Sequence, residues 1–237
     1  MDNSVIQSIF ERKEIKYIIT REQKEALLSR LEGRMQADQY GCTTICNIYF
    51  DTPTHRVIRE SIEKPKYKEK LRLRTYGVPT EDGLAFVELK KKLNGVVYKR
   101  RETMRYVDAM RMLVNRENPV RPSQIVKEIE WLLERYPDLR PAMVLCYDRT
   151  AYFGCEDPEL RLTIDTNIRF RTHDFDLMLG PYGQVLLDEN SYILELKITD
   201  AVPLWLSHIF DELRIYPGSY TKYGNAYKKL LIDGGMI

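Results

Sequence analysis

The clearest chemical signal in the sequence is a run of cations at every second position. Lys66, Lys68, Lys70, Arg72 and Arg74 alternate with other residues. Since successive side chains of a β-strand point to opposite faces, this spacing places all five cations on one face of a strand. Arginine offers a planar fork to phosphate oxygens and lysine a point charge, so the mixture suits a run of phosphoryl groups better than a single carboxylate. The pattern therefore indicates a surface that binds a polyanion.

Other segments alternate charged and apolar residues in the same way. Within each segment the polar positions that share a face are Glu88 with Lys90 and Lys92, Lys99 with Arg101, Tyr147 with Arg149, Arg161 with Asp165, and Glu195 with Lys197. Such a face is also typical of the solvated side of a half-buried antiparallel sheet, and periodicity alone does not separate the two interpretations. The bias toward Lys and Arg on neighbouring hairpin strands favours binding, because like charges across strands destabilise a sheet without a counter-ion.

Cysteine and histidine indicate neither a structural zinc site nor a nucleophile. The four cysteines form no CxxC pair and the three histidines are scattered, so the ligand spacing of zinc is missing. No Ser/His or Cys/His arrangement stands out in the local sequence. We therefore expect buried free thiols and a reaction that uses no side-chain nucleophile.

The charged faces must lie on short strands, which are separated along the chain by a few helices. Strands are predicted at residues 10–19, 43–50, 66–76, 85–92, 97–104, 143–151, 161–170, 184–187 and 192–198. Helices are predicted from Thr20, which forms a capping box with Gln23, to about residue 31, and at 107–114, 123–135 and 203–213. A short helix that begins near Thr52 and Pro53 is predicted in the segment 51–62. The pair Asn94-Gly95 predicts a hairpin turn. The fold class is therefore α+β, with a mainly antiparallel sheet or barrel.

The chain length and the net charge further limit the class of protein. A chain of 237 residues, 43% of them hydrophobic, can bury one substantial core, so a single domain over residues 1–237 is expected. The net charge of +2 gives no indication of a nucleic-acid binder. No apolar stretch approaches the length of a membrane span and no signal peptide is evident, which predicts a cytoplasmic protein.

Five short motifs, taken in order, resemble the VTC (vacuolar transporter chaperone) polyphosphate polymerase family, a branch of the triphosphate tunnel metalloenzymes related to the CYTH domain. They are RKEIKY at 12–17, LRLR at 71–74, VELKKK at 87–92, YDRTAY at 147–152 with RLTIDT at 161–166, and LELK at 194–197 with YTKY at 220–223. The resemblance implies that the strands close into an antiparallel β-barrel, the triphosphate tunnel, with helices packed outside and with the even-numbered residues from 66 to 74 facing inward.

The resemblance also implies roles for individual residues. The catalytic cations would be Lys16, Arg72, Arg74, Arg149 and Arg161, and the substrate-binding residues Lys90, Lys99, Tyr147, Thr221 and Lys222. Glu195 would bind the metal, Mn²⁺ or Mg²⁺. The CYTH signature ExExK is replaced here by Arg12, Glu14 and Lys16, so its first acidic metal ligand is missing. That departure argues against a hydrolytic triphosphatase and leaves Glu14 as the next metal candidate.

The activity that the resemblance implies is transfer of the γ-phosphate of ATP to a growing inorganic polyphosphate chain. ATP and polyphosphate are thus the expected partners, nucleic acid is not, and a membrane-protein partner is left open. Two alternatives also stay open: a triphosphate or polyphosphate hydrolase of the same fold, and a non-catalytic module that binds polyphosphate.

Overall fold

A computed structural model of the protein describes residues 13–63, 65–94, 96–117 and 123–234. These residues form ten strands and six α-helices. In chain order the elements are β1 (Lys13–Thr20), α1 (Arg21–Leu31), β2 (Met35–Asp51), α2 (Arg56–Ile62), β3 (Tyr67–Tyr76), β4 (Leu84–Leu93), β5 (Val96–Arg105), α3 (Tyr106–Met110), α4 (Gln124–Arg135), β6 (Arg140–Gly154), β7 (Arg161–Arg171), β8 (Gln184–Val185), β9 (Ser191–Ile198), α5 (Leu204–Glu212), β10 (Pro217–Gly218) and α6 (Lys222–Asp233).

The chain contacts divide into two compact units, each assembled from three segments. Among the described residues, the first unit comprises residues 13–42, 149–166 and 188–220, and the second comprises those within 43–148, 167–187 and 221–234. The strands β2, β6 and β7 contribute residues to both units. The expectation of one domain over residues 1–237 stays a prediction.

The first unit packs helices against one face of an antiparallel sheet. Its strand order is β10-β1-β9-β7, and alternate residues of the strands, such as Tyr17 on β1 and Leu194 on β9, enter a buried cluster. Leu27 of α1 and Phe210 of α5 complete that cluster from the helices. Because the apolar residues alternate with charged ones, the opposite face of the same strands carries the charged side chains.

The second unit repeats this arrangement with other elements. Its strand order is β2-β3-β4-β5, with antiparallel pairing throughout. Leu73 of β3 and Val87 of β4 lie in a second buried cluster with Ile129 and Leu132 of α4. Residues one position away on the same strands therefore form the charged face. The predicted α+β class with an antiparallel sheet is confirmed.

Local signals in the sequence account for several element boundaries. The predicted capping box begins α1, since Thr20 Oγ1 accepts a hydrogen bond from the Gln23 N–H at 3.2 Å and Gln23 Oε1 accepts one from the Thr20 N–H at 2.9 Å. Ser123 begins α4 by accepting a hydrogen bond from the Val126 N–H at 3.1 Å. Asn94 has the positive φ of 49° expected of the hairpin turn after β4. Gly95 of that turn and residues 10–12 of the predicted first strand lie outside the described residues.

Several features differ from the sequence prediction. β2 begins at Met35 rather than at residue 43, and α2 begins at Arg56 rather than near Thr52 and Pro53. Neither β10 nor α6 was predicted. The helix predicted at residues 107–114 is α3 followed by a π-helical turn at Arg111–Asn115. The hydrogen-bonded strand order ends at β10 in the first unit and at β5 in the second, so the pairing of the described strands does not close into the predicted barrel.

Candidate functional site

A buried carboxylate lies at the centre of the charged face in the second unit. Glu88, only 2% exposed, accepts hydrogen bonds from Arg72 Nε at 2.6 Å and from Arg101 Nε and NH2 at 2.9 and 2.5 Å. Lys99 Nζ lies 3.0 Å and Arg74 Nε 3.8 Å from the same carboxylate. The strand register explains the convergence, because Arg72 and Arg101 are the residues directly opposite Glu88 on β3 and β5. We call these five residues the Glu88 cluster.

The Glu88 cluster retains an excess of positive charge. Burial raises the pKa of Glu88, but the charges of Arg72, Arg74 and Lys99 outweigh it and hold that pKa well below its usual range. Glu88 is therefore ionised, and its single negative charge faces four cations. A partly buried group of this composition attracts anions.

Arg74 connects the cluster to two of the predicted substrate-binding residues. Its guanidinium is buried and donates to Asn47 Oδ1 at 3.0 Å and to the Tyr147 hydroxyl at 3.3 Å. Asn47 is held in turn by donating to the carbonyl of Leu145 at 2.9 Å. Lys222 Nζ lies 4.5 Å from the centre of the Tyr147 ring. The structure thus brings Arg74, Tyr147 and Lys222 together.

Arg72 is held by an aromatic side chain of β2. Its NH1 donates to the Tyr49 hydroxyl at 3.3 Å, and Tyr49 stacks on Tyr223 with ring centres 4.6 Å apart. The Tyr223 hydroxyl donates to the buried carboxylate of Asp51 at 2.8 Å, and Asp51 also accepts from two backbone N–H groups of α2. Burial raises the pKa of Tyr49, but the charge of Arg72 and its hydrogen bond, together with the charge of Arg74, lower that pKa to about 8.

Thr221 and Lys90, the remaining predicted residues of this unit, lie at its surface. Thr221 precedes α6, and a Cβ added to Gly224 would come within 2.3 Å of the Thr221 hydroxyl oxygen. Gly224 is therefore required for the observed position of that hydroxyl. Lys90 is exposed and lies opposite Lys70 on β3 and Lys99 on β5, which places three lysines side by side.

The charged face of the first unit is built around Arg149. This guanidinium donates to both carboxylate oxygens of the fully buried Asp165, at 2.6 and 2.8 Å. Its NH2 lies 3.6 Å from Glu195, whose other oxygen lies 3.3 Å from Lys197 Nζ. Such a bidentate pair fixes the plane of the guanidinium. We call this surface, together with Lys16 and Arg161, the Glu195 face.

Lys16 and Arg161 flank Glu195 through strand pairing. Lys16 lies directly opposite Glu195 on β1, and its Nζ is 3.1 Å from the carboxylate of Glu14. Arg161 is exposed and lies directly opposite Lys197. The residues that the sequence predicted in this unit therefore share one face.

The composition of the Glu195 face fits a divalent metal that is completed by phosphate oxygens. Among the described residues no three His, Cys, Asp or Glu side chains cluster closely enough to form a protein-only metal cage. Mg²⁺ and similar hard cations commonly use one or two carboxylates and take their other ligands from phosphates and water. Glu195, with Glu14 on the adjacent strand, supplies such carboxylates. Thr163, directly opposite Glu195 and 7% exposed, has a buried hydroxyl without a hydrogen-bond partner in the described part of the chain.

Sequence reasoning missed the acidic members and one aromatic member of these groups. Glu88 and Asp165 were placed on the charged faces but given no role, and Arg101 was not assigned to the site. The alternation in VELKKK was the available signal for Glu88, since it put this residue on the face of Lys90. Tyr49 carried no signal, because its contact with Arg72 depends on the register between β2 and β3.

The cysteines are free, as expected, but Cys42 and Cys155 are exposed whereas Cys46 and Cys146 are buried. The expectation of buried thiols is therefore wrong for the first two. None of the helices in the described ranges is long and apolar enough to cross a membrane.

Comparison with known proteins gives a family match and a set of solved structures of similar fold, two of which follow. A family model described as the VTC domain matches residues 11–231. No curated protein matches the chain. A protein from Bacillus halodurans, described as a "putative adenylate cyclase", is 15% identical with a TM-score of 0.56, and the match covers 89% of this chain and 95% of that one.

The second structure is a Hippeastrum protein, described as a "putative adenylyl cyclase" with a dominant triphosphatase activity. It is 16% identical with a TM-score of 0.55, and the match covers 94% of this chain and 95% of that one. At these identities the two likenesses establish the fold alone.

Proposed function

This chain belongs to the VTC domain family, and we propose that it is a metal-dependent phosphotransferase that adds the γ-phosphate of ATP to inorganic polyphosphate. The observation that carries the proposal is the Glu88 cluster, in which four cations lie within 3.8 Å of one buried carboxylate. A cluster with this surplus of guanidinium and ammonium groups suits a densely charged chain of phosphoryl groups.

We assign phosphate binding to both charged surfaces. In the second unit the phosphate-binding residues are Arg72, Arg74, Lys90 and Lys99, with Tyr147, Thr221 and Lys222 near α6. In the first unit they are Lys16, Arg149 and Arg161. Carboxylates and a hydroxyl hold Arg72, Arg74 and Arg149 in place before substrate binds, which limits the entropy that binding must offset.

The reaction requires no nucleophile from the protein. A terminal oxygen of the polyphosphate chain attacks the γ-phosphorus of ATP, a new P–O bond forms, and the bond from γ-phosphorus to the bridging oxygen breaks as ADP leaves with the electron pair. The arginines and lysines neutralise charge on the phosphoryl oxygens and align the two reactants, which is the main part of catalysis in phosphoryl transfer.

Glu195 is the residue to which we assign the metal, Mn²⁺ or Mg²⁺, with Glu14 as the alternative ligand. A bound divalent cation would supply further neutralisation of the phosphate oxygens. The buried hydroxyl of Thr163 faces the same region through its pairing with Glu195.

A hydrolase is the second candidate function. The Hippeastrum protein that shares the fold is described as having a dominant triphosphatase activity, and water in place of the acceptor phosphate would convert the proposed transfer into hydrolysis. A module that binds polyphosphate without turnover would use the same cations.

Incubating the purified protein with ATP and Mn²⁺ distinguishes these functions by product. We expect a phosphate polymer, resolved by gel electrophoresis, together with ADP. Orthophosphate without polymer would favour the hydrolase. Tight binding of polyphosphate without ATP turnover would favour the binding module, and absence of both binding and turnover would refute the proposal.

Two adjacent arginines of β5 provide a matched pair of variants for the same experiment. Arg101 contacts Glu88, whereas Arg100 lies on the opposite face, 3.4 Å from Glu128 of α4. Both are partly exposed, with 36% and 44% of the side chain accessible, and both changes remove one positive charge. Arg101→Ala should weaken tripolyphosphate binding roughly tenfold or more, because a charge-assisted hydrogen bond is worth about 1.5–3 kcal/mol. Arg100→Ala should leave binding close to wild type, and equal losses in the two variants would mean that only net charge matters.

A further inference from the structure

Glu88 occupies donor groups that an incoming phosphate would need. Arg101 directs both Nε and NH2 at one oxygen of Glu88, so one edge of this guanidinium is in use. Arg72 directs Nε at the other oxygen and NH1 at the Tyr49 hydroxyl. An anion that binds through these N–H groups must therefore share them with the carboxylate.

Glu88 cannot leave the cluster by moving into solvent. It is 2% exposed, and its neighbours Val87 and Leu89 on β4 lie in the buried core. Its charge therefore stays close to any anion bound there and repels that anion. A surface carboxylate would lose most of this effect through screening by salt.

We propose that Glu88 is an internal competitor of the substrate, which lowers the affinity of the cation cluster for polyphosphate so that a bound chain can advance and be released. The inference rests on the proposed function and names the residue that tunes this site. A cluster of four cations without the carboxylate would hold a polyanion more tightly, and stronger binding of substrate and product alike slows release without accelerating the chemical step.

The test is the affinity of metal-free, nucleotide-free protein for tripolyphosphate, measured by calorimetry. Glu88→Gln keeps the size of the side chain and removes its charge, and we expect binding to become roughly tenfold tighter. Glu88→Asp retains the charge and should stay within about threefold of wild type. Glu128→Gln is the matched control, since Glu128 pairs with Lys91 and Arg100 on the opposite face of the same strands, and it should leave the affinity unchanged.

Thermal unfolding supplies a second readout, because Glu88→Gln leaves four cations without their shared carboxylate. The ligand-free variant should unfold at a lower Tm than wild type, and saturating tripolyphosphate should raise its Tm more than it raises that of wild type. Should Glu88→Gln fail to fold, the comparison is made between Arg101→Gln and the double variant Glu88→Gln/Arg101→Gln, where one repelling cation has been removed as well. The carboxylate-free member of that pair should again bind more tightly.

The outcomes separate this inference from the proposed function. If the wild type binds tripolyphosphate and the carboxylate-free variants bind it equally or more weakly, the role of Glu88 is overturned and the proposed function stands. Binding by the carboxylate-free variants alone supports the role of Glu88 and counts against the function. Absence of binding in all of them overturns both.

Discussion

The pH dependence of phosphate binding should report on Tyr49. This buried phenol is 8% exposed, stacks on Tyr223 and accepts a hydrogen bond from Arg72. Although burial raises its pKa, the neighbouring cations lower it to about 8, below the usual value of 10.0. The phenol is therefore mostly neutral near pH 7 and mostly ionised near pH 9. The phenolate would place a negative charge directly on Arg72, which is one of the proposed phosphate ligands.

The sign of the effect follows from the direction of this shift. Because the pKa of Tyr49 is lower in the folded protein than in the unfolded chain, ionisation stabilises the fold. That contribution is fully present above about pH 10 and is lost as the pH falls through about 8. A shift of the pKa from 10.0 to about 8 contributes on the order of 2–3 kcal/mol to the free energy of unfolding. Bound phosphate competes with the phenolate for Arg72, so by linkage the affinity should fall over the same range.

The experiment measures tripolyphosphate affinity by calorimetry at about pH 7, 8 and 9 and at constant ionic strength. Wild-type affinity should fall by up to about tenfold per pH unit above 8, whereas Tyr49→Phe should lose that decline. Tyr67→Phe is the control, since burial and a hydrogen bond to Glu69 raise the pKa of Tyr67 and keep it neutral over this range. An identical pH profile for wild type and Tyr49→Phe would refute the assigned coupling to Arg72.

Three further changes test other parts of the two surfaces. Glu195→Gln should raise the Mn²⁺ concentration at half-maximal binding by about 10-fold or more in a metal titration, and an unchanged midpoint would move the metal assignment to Glu14. Gly224→Ala should displace the Thr221 hydroxyl, which an added Cβ would meet at 2.3 Å; we expect weaker tripolyphosphate binding without loss of Tm, since alanine favours the helix by about 1 kcal/mol, and unchanged binding would remove Thr221 from the site. Thr163→Val should raise the Tm measured by thermal unfolding, because a buried hydroxyl without a partner costs about 1–3 kcal/mol; a lower Tm would mean that this hydroxyl is bonded in the free protein.

The alternation of side chains made the faces of the strands predictable from sequence. Arg72 and Arg74 lie on the face opposite Leu71 and Leu73, as the period of two requires. The capping box at Thr20 was likewise readable, because both of its partners lie within three residues. These features depend on local sequence alone.

Features that depend on pairing or on weak local signals were not predictable. The beginning of β2 at Met35 is polar and largely exposed up to residue 42, so it shows no apolar alternation. The helix α6 contains Gly224 near its start and has no side-chain cap from Thr221, so the usual signals of a helix N-terminus are missing. The contact of Glu88 with Arg72 required the register between β3 and β4, which the sequence does not specify.

The buried carboxylates also change what a cationic strand face implies. From sequence, like charges on neighbouring strands favoured a polyanion as their counter-ion. The structure supplies internal counter-ions instead: Glu88 beneath four cations in the second unit, and Asp165 bonded to Arg149 through both oxygens in the first. The cations therefore have internal counter-ions, and removing either carboxylate should cost stability. The evidence for phosphate binding is therefore the excess of positive charge, since the single negative charge of Glu88 balances only part of the positive charge around it. The same carboxylate that stabilises the four cations then sets how strongly their excess positive charge can hold a ligand.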